Sequence, residues 1–350
     1  MADFTGDISQ RNIYRIIEID SISLTPLYLQ IVNSILKGIE EGYLPIGYPL
    51  PSLNDLSHEL NISRDTCVRV YNELKAIGIV SSVHGKGYFI RNADVHTHTN
   101  ILLLFNKLSS YKKIIYDAFV NTVGNRAVID FYIYNSDVNL FKEIFTRLKN
   151  DYSYYVILPH FIGDSEKAYQ LIETIPKEKL ILLDRLLPDI SGEYSAVFED
   201  FKIDIYKAME EALGRLEKYH TIKIIFPEYA YFSTDIINGL NEFCVKYEFI
   251  FQVINDVNNL DLAEGEVYIV VNDDDLVTLI NAIRNSKFKV GKKVGIISYN
   301  EIPFKSILLS GITTVSTDFY EMGRMTAELI LTKTVKRIQI PFTLNLRDSL

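Results

Sequence analysis

Two groups of residues in this 350-residue chain have the types and spacing to do chemistry. The first is the run Asn61-Ile62-Ser63-Arg64-Asp65-Thr66-Cys67-Val68-Arg69-Val70-Tyr71-Asn72-Glu73-Leu74. Hydroxyls at Ser63 and Thr66 and guanidinium groups at Arg64 and Arg69 can donate hydrogen bonds to phosphate oxygens and base edges, which suits a duplex groove. The second group is scattered. Asp184-Arg185, Asn272-Asp273, Asn300 and Thr317 each follow a short apolar run, and Ser109, Ser110, Tyr111, His160, Phe161, Tyr231 and Phe232 hold comparable positions. Carboxylate, amide, hydroxyl and aromatic side chains in such places pair the donors and acceptors of a hydroxyl-rich small molecule and cover its C–H faces.

The local pattern supplies the elements that would position the first group. Ser63 has the chemistry of a helix N-cap. Cys67, Val70 and Leu74 recur at helical spacing, which buries one face and leaves Arg64, Thr66 and Arg69 on display. Upstream, Thr25-Pro26 opens a helix, with Thr25 as cap and Pro26 at the first position. Tyr28, Ile31, Ile35 and Ile39 form its apolar stripe, and Gly42 ends it. Pro51-Ser52 opens a second helix, with Ser52 and Asp55 spaced as a capping box. Downstream, residues 79–82 and 88–90 read as strands joined by His84-Gly85-Lys86-Gly87. Three helices and a hairpin make a winged helix-turn-helix. Ile13, Ile16 and Ile17 have the spacing to dock a short segment ahead of it.

A family resemblance then becomes specific. Pro26-Leu27-Tyr28, Pro49-Leu50-Pro51-Ser52, Ile62-Ser63-Arg64, Thr66-Cys67-Val68-Arg69-Val70-Tyr71 and Gly85-Lys86-Gly87-Tyr88-Phe89-Ile90 stand in the order found in GntR-type bacterial transcription regulators. The chain resembles their DNA-binding domain over residues 25–91. The resemblance implies DNA contacts from Ser52, Asn54, Ser63, Arg64, Asp65, Thr66 and Arg69 on the helices, and from His84, Gly85, Lys86 and Gly87 in the wing. Asn54 stands where the family usually has Arg, Asp65 where it has Thr, and Val68 where Arg is frequent. Residues 1–91 hold eight Lys/Arg against ten Asp/Glu, so the domain is not basic overall. Binding would rest on a local patch with few phosphate contacts and a modest salt dependence.

Composition narrows the rest. Hydrophobic residues make up 48% and charged residues 23%, which supports a large core and argues against long disorder. The net charge of −9 argues against wholesale nucleic-acid binding. Cys67 and Cys244 are too far apart in sequence to suggest a disulfide framework or a zinc site. No apolar run approaches the roughly 18 residues of a membrane span, and the first residues show no signal-peptide pattern. A cytoplasmic protein without membrane contact is the simplest expectation. Residues 92–99 are polar and without periodicity, a linker in which His96 and His98 make no metal site. The expected division is a winged helix-turn-helix at 1–91, the linker at 92–99 and a second domain at 100–350.

That second domain reads as α/β: short apolar strands alternate with amphipathic helices, the pattern of parallel sheets covered on both faces. About nine such units exceed one small sheet, so two doubly wound lobes are expected. Ile181-Leu-Leu-Asp184-Arg185, Val270-Val-Asn272-Asp273, Val294-Gly295, Tyr299-Asn300-Glu301, Ile312-Thr313-Thr314-Val315, Met322-Gly323 and Leu346-Arg347-Asp348-Ser349 stand in an order similar to LacI/GalR-type effector domains. That fold is shared with periplasmic sugar-binding proteins. The resemblance implies three crossings between lobes, dividing them at 100–199 with 316–331 and at 200–315 with 332–350. It also implies sugar hydrogen bonds from Asp184, Arg185, Asn272, Asn300 and Thr317, and an aromatic wall at Tyr111. The fold often has Asp where Asn300 stands, and Arg where Ile236 stands. With that Arg missing, a neutral sugar is the favoured effector.

The combination resembles the arabinose-repressor type of regulator. It implies a homodimer that binds double-stranded operator DNA and represses carbohydrate-utilisation genes, with operator affinity set by a monosaccharide in the cleft. The alternatives are a regulator with a non-sugar effector, or a ligand-binding protein whose winged helix serves protein contacts. An enzyme is not expected. There is no phosphate loop, no HExxH, no nucleophile elbow and no dinucleotide fingerprint, and no cofactor is implied.

Overall fold

The computed structural model describes residues 13–83, 85–93, 99–148, 152–163, 165–227 and 232–350. His84, the linker histidines His96 and His98, and Tyr231 lie outside the described residues. The chain forms two compact units. One holds described residues up to 105 together with 123–135 and 142–157; the other holds 106–122, 136–141 and 158–350.

The first unit begins with the winged helix. Helix α1 (Leu27–Glu40) is followed by the two-residue strand β1 (Pro49–Leu50), α2 (Leu53–Leu60), α3 (Arg64–Ala76), β2 (Val80–Val83) and β3 (Gly87–Ile90). The three strands form an antiparallel sheet in the order β1-β3-β2. Ile31, Ile35, Leu56, Cys67, Val70 and Leu74 close the core, and Ile13 and Ile17 pack into it from the preceding segment. Ser52 accepts from Asp55 N and Ser63 from Thr66 N, so both expected caps form. Asn61 adopts a left-handed conformation, φ 51°, at the tight turn between α2 and α3.

Thr25 behaves differently from the sequence expectation. Pro26 occupies the N-cap position of α1 and no side chain caps the helix. The Thr25 hydroxyl instead donates to Ile129 O and accepts from Phe131 N, while Leu24 N donates to Phe131 O. These partners lie in β5 (Ala127–Ile133), which runs parallel to β4 (Thr99–Phe105). A strand's unpaired backbone groups satisfy Thr25 better than a helix turn can, because they are buried and have no water to turn to. Strand β6 (Tyr154–Ile157) pairs with β4 on its other side, also in parallel.

Between and after these strands run α4 (Ser110–Val123), α5 (Val138–Arg147), α6 (Glu166–Glu173), β7 (Leu180–Asp184), β8 (Ser195–Phe198), α7 (Phe201–Glu211) and α8 (Leu213–Leu216). Then come β9 (Thr221–Ile225), α9 (Asp235–Tyr247), β10 (Ile250–Ile254), β11 (Glu266–Val270), α10 (Asp273–Arg284), β12 (Val294–Tyr299), β13 (Thr313–Thr317), α11 (Phe319–Leu331), β14 (Arg337–Gln339) and β15 (Phe342–Asn345). Helices α7 and α8 follow one another with a break at Ala212, just before Gly214, a poor helix former.

Within the second unit, β7, β8 and β14 pair in parallel, and a separate sheet runs β10-β9-β11-β12-β13-β15. That sheet is parallel except for β15, which is antiparallel to β13. The chain passes between the two sheets after β8, after β13 and after β14. The fold is therefore mixed α/β, with N-terminal helix-turn-helix elements and two parallel-sheet lobes. Close helix packing depends on two glycines. A Cβ on Gly239 would lie 2.4 Å from Lys202 O, and one on Gly323 2.2 Å from Ile115 O. The C-terminal Arg347-Asp348-Ser349 motif is a staple. Arg347 pairs with Glu301, and Ser349 accepts from Thr313 N and donates to Ile296 O.

Candidate nucleic-acid interface and ligand cavity

Helix α3 is held on three sides and open on the fourth. Cys67, Val70, Tyr71 and Leu74 are buried, and Arg64, Asp65 and Arg69 are exposed. The Tyr71 ring stacks on Tyr88 of β3 with centroids 4.3 Å apart, and its hydroxyl donates to Pro51 O. One residue thus ties the displayed helix to both the wing and the start of α2. The Ser63 and Thr66 hydroxyls bond each other at 2.8 Å, so both are anchored at the helix start. Ser52 and Asn54 are exposed on the first turn of α2, and Gly85, Lys86 and Gly87 are exposed at the wing tip. Gly85 and Gly87 have φ of 72° and 99°, backbone that favours glycine and lets the wing turn sharply. This half of the site presents Arg64, Arg69 and Lys86 to solvent.

The second site lies in the second unit, at the strand ends where the chain passes between its two sheets. A cavity there is lined by Lys107, Tyr111, Lys112, His160, Asp184, Glu199, Phe201, Phe232, Tyr299, Asn300 and Phe319. Its volume is about 30 Å³, room for a few water molecules. Five residues expected from sequence are brought together here: Tyr111, His160, Asp184, Phe232 and Asn300. Arg185 stands beside them, its guanidinium 5.9 Å from the centre of the Phe201 ring. Asp184 and Asn300 end their strands with φ of 73° and 64°. Such left-handed backbone is uncommon outside glycine and tolerated best by Asp and Asn, and it clusters at functional sites.

Other expected residues are placed elsewhere. Phe161 packs edge-on against Phe141 and Tyr169. Asn272 caps α10, accepting from Asp275 N at 2.8 Å. Ser110 is exposed at the first turn of α4, Ser109 is half-buried just before it, and the Thr317 hydroxyl donates to Glu199.

The electrostatics of the cavity follow from burial. His160 Nε2 bonds Asp184 Oδ2, both side chains nearly enclosed. Burial pushes the His160 imidazole down to about 4. Burial also works against the Asp184 carboxylate, but His160, Lys112 and Arg185 outweigh it and hold it ionised. Glu199 is pushed well above the usual carboxylate range, by burial first and then by Asp184. The Lys112 ammonium, bonded to Asn106 Oδ1, is pushed down to about 8 by burial. Among the described residues five buried side-chain polar atoms have no hydrogen-bond partner, Tyr299 Oη, Arg185 Nε and Ser109 Oγ among them.

Sequence reasoning missed Lys107, Lys112, Glu199, Phe201, Tyr299 and Phe319. A usable signal existed for two of them. Asp200 and Asp318 each cap a helix through the third backbone N–H beyond, and each is followed at once by an aromatic residue facing the cavity. Lys305 was also missed. It is 1% exposed, and its ammonium donates to Tyr299 O and Asn300 O and pairs with Asp273 at 2.8 Å. It therefore holds Asn300 in place from behind.

Residues 27–90 match the family model described as bacterial regulatory proteins, gntR family. Residues 256–350 match the periplasmic binding protein-like domain. The chain joins a gntR-type helix-turn-helix to a periplasmic-binding-protein-like domain. The gntR-type part is 36% identical over 70 residues to the HTH-type transcriptional repressor STM4068 of Salmonella typhimurium, covering 20% of this chain and 29% of that one. The chain thus spans less than a third of that relative's length.

Among solved structures, the Lac repressor bound to ONPG in the repressed state matches with a TM-score of 0.61 at 14% identity, over 86% of this chain and 100% of that chain. A LacI family transcriptional regulator from Enterococcus faecium with bound ribose matches with a TM-score of 0.57 at 17% identity, over 72% and 98%. At such identities the likeness speaks to the fold. These relatives are regulators and repressors, not enzymes. No helix among the described residues is long and apolar enough to cross a membrane.

Proposed function

We propose that this protein is a cytoplasmic, homodimeric DNA-binding transcription regulator, a repressor of carbohydrate-utilisation genes. A monosaccharide-sized effector in the cavity between the two lobes would control its grip on operator DNA. The observation that carries this reading is the pairing, in one chain, of a gntR-type helix with Arg64 and Arg69 exposed and a cavity walled by Tyr111, Phe201, Phe232 and Phe319. Residues 1–91 would read DNA, 92–99 would link, and 100–350 would sense. Arg64, Thr66 and Arg69 would contact base edges or phosphates, and Gly85-Lys86-Gly87 would lie along the backbone. Two copies on one dimer would read the half-sites of a near-palindrome.

A cavity of about 30 Å³ is too small for a monosaccharide, and on this reading the cavity widens to admit one. Effector binding is then linked to the angle between lobes, and any effect on DNA must be reciprocal, at roughly 1–3 kcal/mol of coupling. A mobility-shift assay with the DNA upstream of its own gene tests the reading. A specific shift that Arg64→Ala abolishes is expected. No specific shift with the wild-type protein would point to a winged helix used for protein contacts.

A further inference from the structure

Within the first unit, the segment ahead of α1 is tied at two points to β5 and the end of α5. The first tie is to the main chain of β5. Leu24 N donates to Phe131 O, and the Thr25 hydroxyl donates to Ile129 O and accepts from Phe131 N. The second is a clamp on Asp20. Arg147, the last residue of α5, donates to its carboxylate from both terminal nitrogens, at 2.6 and 3.3 Å. The Tyr132 hydroxyl donates to the same carboxylate at 2.8 Å, and Ile22 N at 3.0 Å. Arg147 and Tyr132 stand 127 and 112 positions from Asp20 in sequence.

The segment is in turn fastened to the winged helix. Asp20 N donates to the Gln30 side chain on α1, and that side chain donates back to Thr25 O, both at 2.8 Å. The Ser34 hydroxyl bonds both the N–H and the carbonyl of Glu18. Ile13 and Ile17 are buried in the winged-helix core. Whatever holds residues 20–25 therefore holds the DNA-reading head.

The space beside these ties is open rather than packed. A cleft of about 970 Å³ is lined by Asn33 and Lys37 of α1 and by Asp130 and Tyr132 of β5. The head is thus placed chiefly by directional bonds. One anchor at Thr25 leaves it free to pivot, and a second at Asp20 fixes its angle. A bidentate Arg–carboxylate pair sets orientation as well as distance. Arg64, Arg69 and Lys86 stay exposed while the clamp is closed.

Resting on the DNA-binding dimer proposed above, we infer that Asp20 and Arg147 are positioning residues for operator reading. They hold each α3 at a fixed angle to strands β4, β5 and β6 of its own chain, so the dimer reads one separation of half-sites. A head carried on residues 92–99 alone would swing and accept several separations.

The test maps the sequence that the full-length protein protects in the DNA upstream of its own gene. About 5 base pairs, half a helical turn, are then inserted between its two halves. In mobility-shift titrations wild type is expected to bind the altered site about tenfold or more weakly. Asp20→Asn and Arg147→Gln bind the unaltered site more weakly than wild type and lose no more than about threefold on insertion. The double variant behaves like either single one, because the pair acts as a unit. Lys202→Gln, which removes an exposed ion pair with Glu242, keeps the full penalty. A loss of fold would weaken binding to both sites alike, so the ratio between them reports positioning.

A second measurement needs no DNA. Spin labels on cysteines introduced as Asn72→Cys in α3 and Lys142→Cys in α5, both exposed positions, give a narrow distance distribution that Asp20→Asn broadens. Indifference of wild type to the insertion, a full penalty kept by the double variant, or an unbroadened distribution overturns the inference and leaves the regulator reading standing. No specific shift by wild type overturns that reading and this inference with it.

Discussion

Thr317 donates its hydroxyl hydrogen to the Glu199 carboxylate, joining two residues 118 positions apart in sequence. Each sits where the chain leaves one sheet for the other. Glu199 follows β8 and precedes the Asp200 cap of α7; Thr317 ends β13 and precedes the Asp318 cap of α11. The bond therefore pins two of the three crossings together next to the cavity that Glu199 lines. Any motion that opens the lobes must deform this pair or pivot about it.

The raised Glu199 carboxyl makes stability depend on pH. Its folded pKa is raised by burial and by Asp184, while the unfolded carboxyl ionises near 4.5. Between those values the folded state holds more protons than the unfolded state, so its stability falls as pH rises through that window. Glu199→Gln removes the titrating group and keeps an acceptor for Thr317. The variant should match wild type below pH 4.5 and exceed it at pH 8, as read from urea midpoints at the two pH values. A variant less stable than wild type at pH 8 would rule out a protonated Glu199.

Lys305 should matter for the cavity wall without touching it. Lys305→Met leaves the Tyr299 and Asn300 carbonyls and Asp273 without their shared donor. Loss of those buried bonds is expected to cost about 2 kcal/mol in chemical denaturation. Effector affinity should weaken too, since Asn300 is held in a left-handed conformation from this side.

Thr25 offers a test of the segment ahead of α1. Thr25→Val is nearly isosteric but leaves Phe131 N without its acceptor and Ile129 O without its donor. An unsatisfied buried N–H costs roughly 1–3 kcal/mol. The urea midpoint should drop accordingly. If Thr25 served only as a helix cap, Thr25→Asn would restore full stability; the observed bonding predicts that it does not.

Gly323→Ala should destabilise the protein by about 1–3 kcal/mol, because the added methyl meets the backbone oxygen of Ile115. Calorimetry of the variant checks this. Unchanged melting would mean that α11 and α4 can separate at little cost.

The sequence alone determined the periodic features. Ser52 and Ser63 caps, the apolar stripe of α3, the hairpin at 80–90 and the alternation of strands and helices are local, set by hydroxyl reach and by the 3.6 and 2.0 repeats of helix and strand. Asp184 and Asn300 were legible because each polar residue follows directly on an apolar strand. Tertiary structure decided what these side chains do. Thr25 has the chemistry of a cap, but the unpaired edge of β5 took its hydroxyl. Asn272 looked like a ligand contact, yet its own helix uses it. Nothing local in the sequence marks Lys112 or Lys305, yet the tertiary structure buries both, bonding one to Asn106 and making the other a three-way strap. Glu199 and Thr317 meet across 118 residues only because the crossings bring two strand ends together. Hydrogen bonding within a turn depends on neighbours a few residues away; the charge state of a buried group depends on everything packed around it.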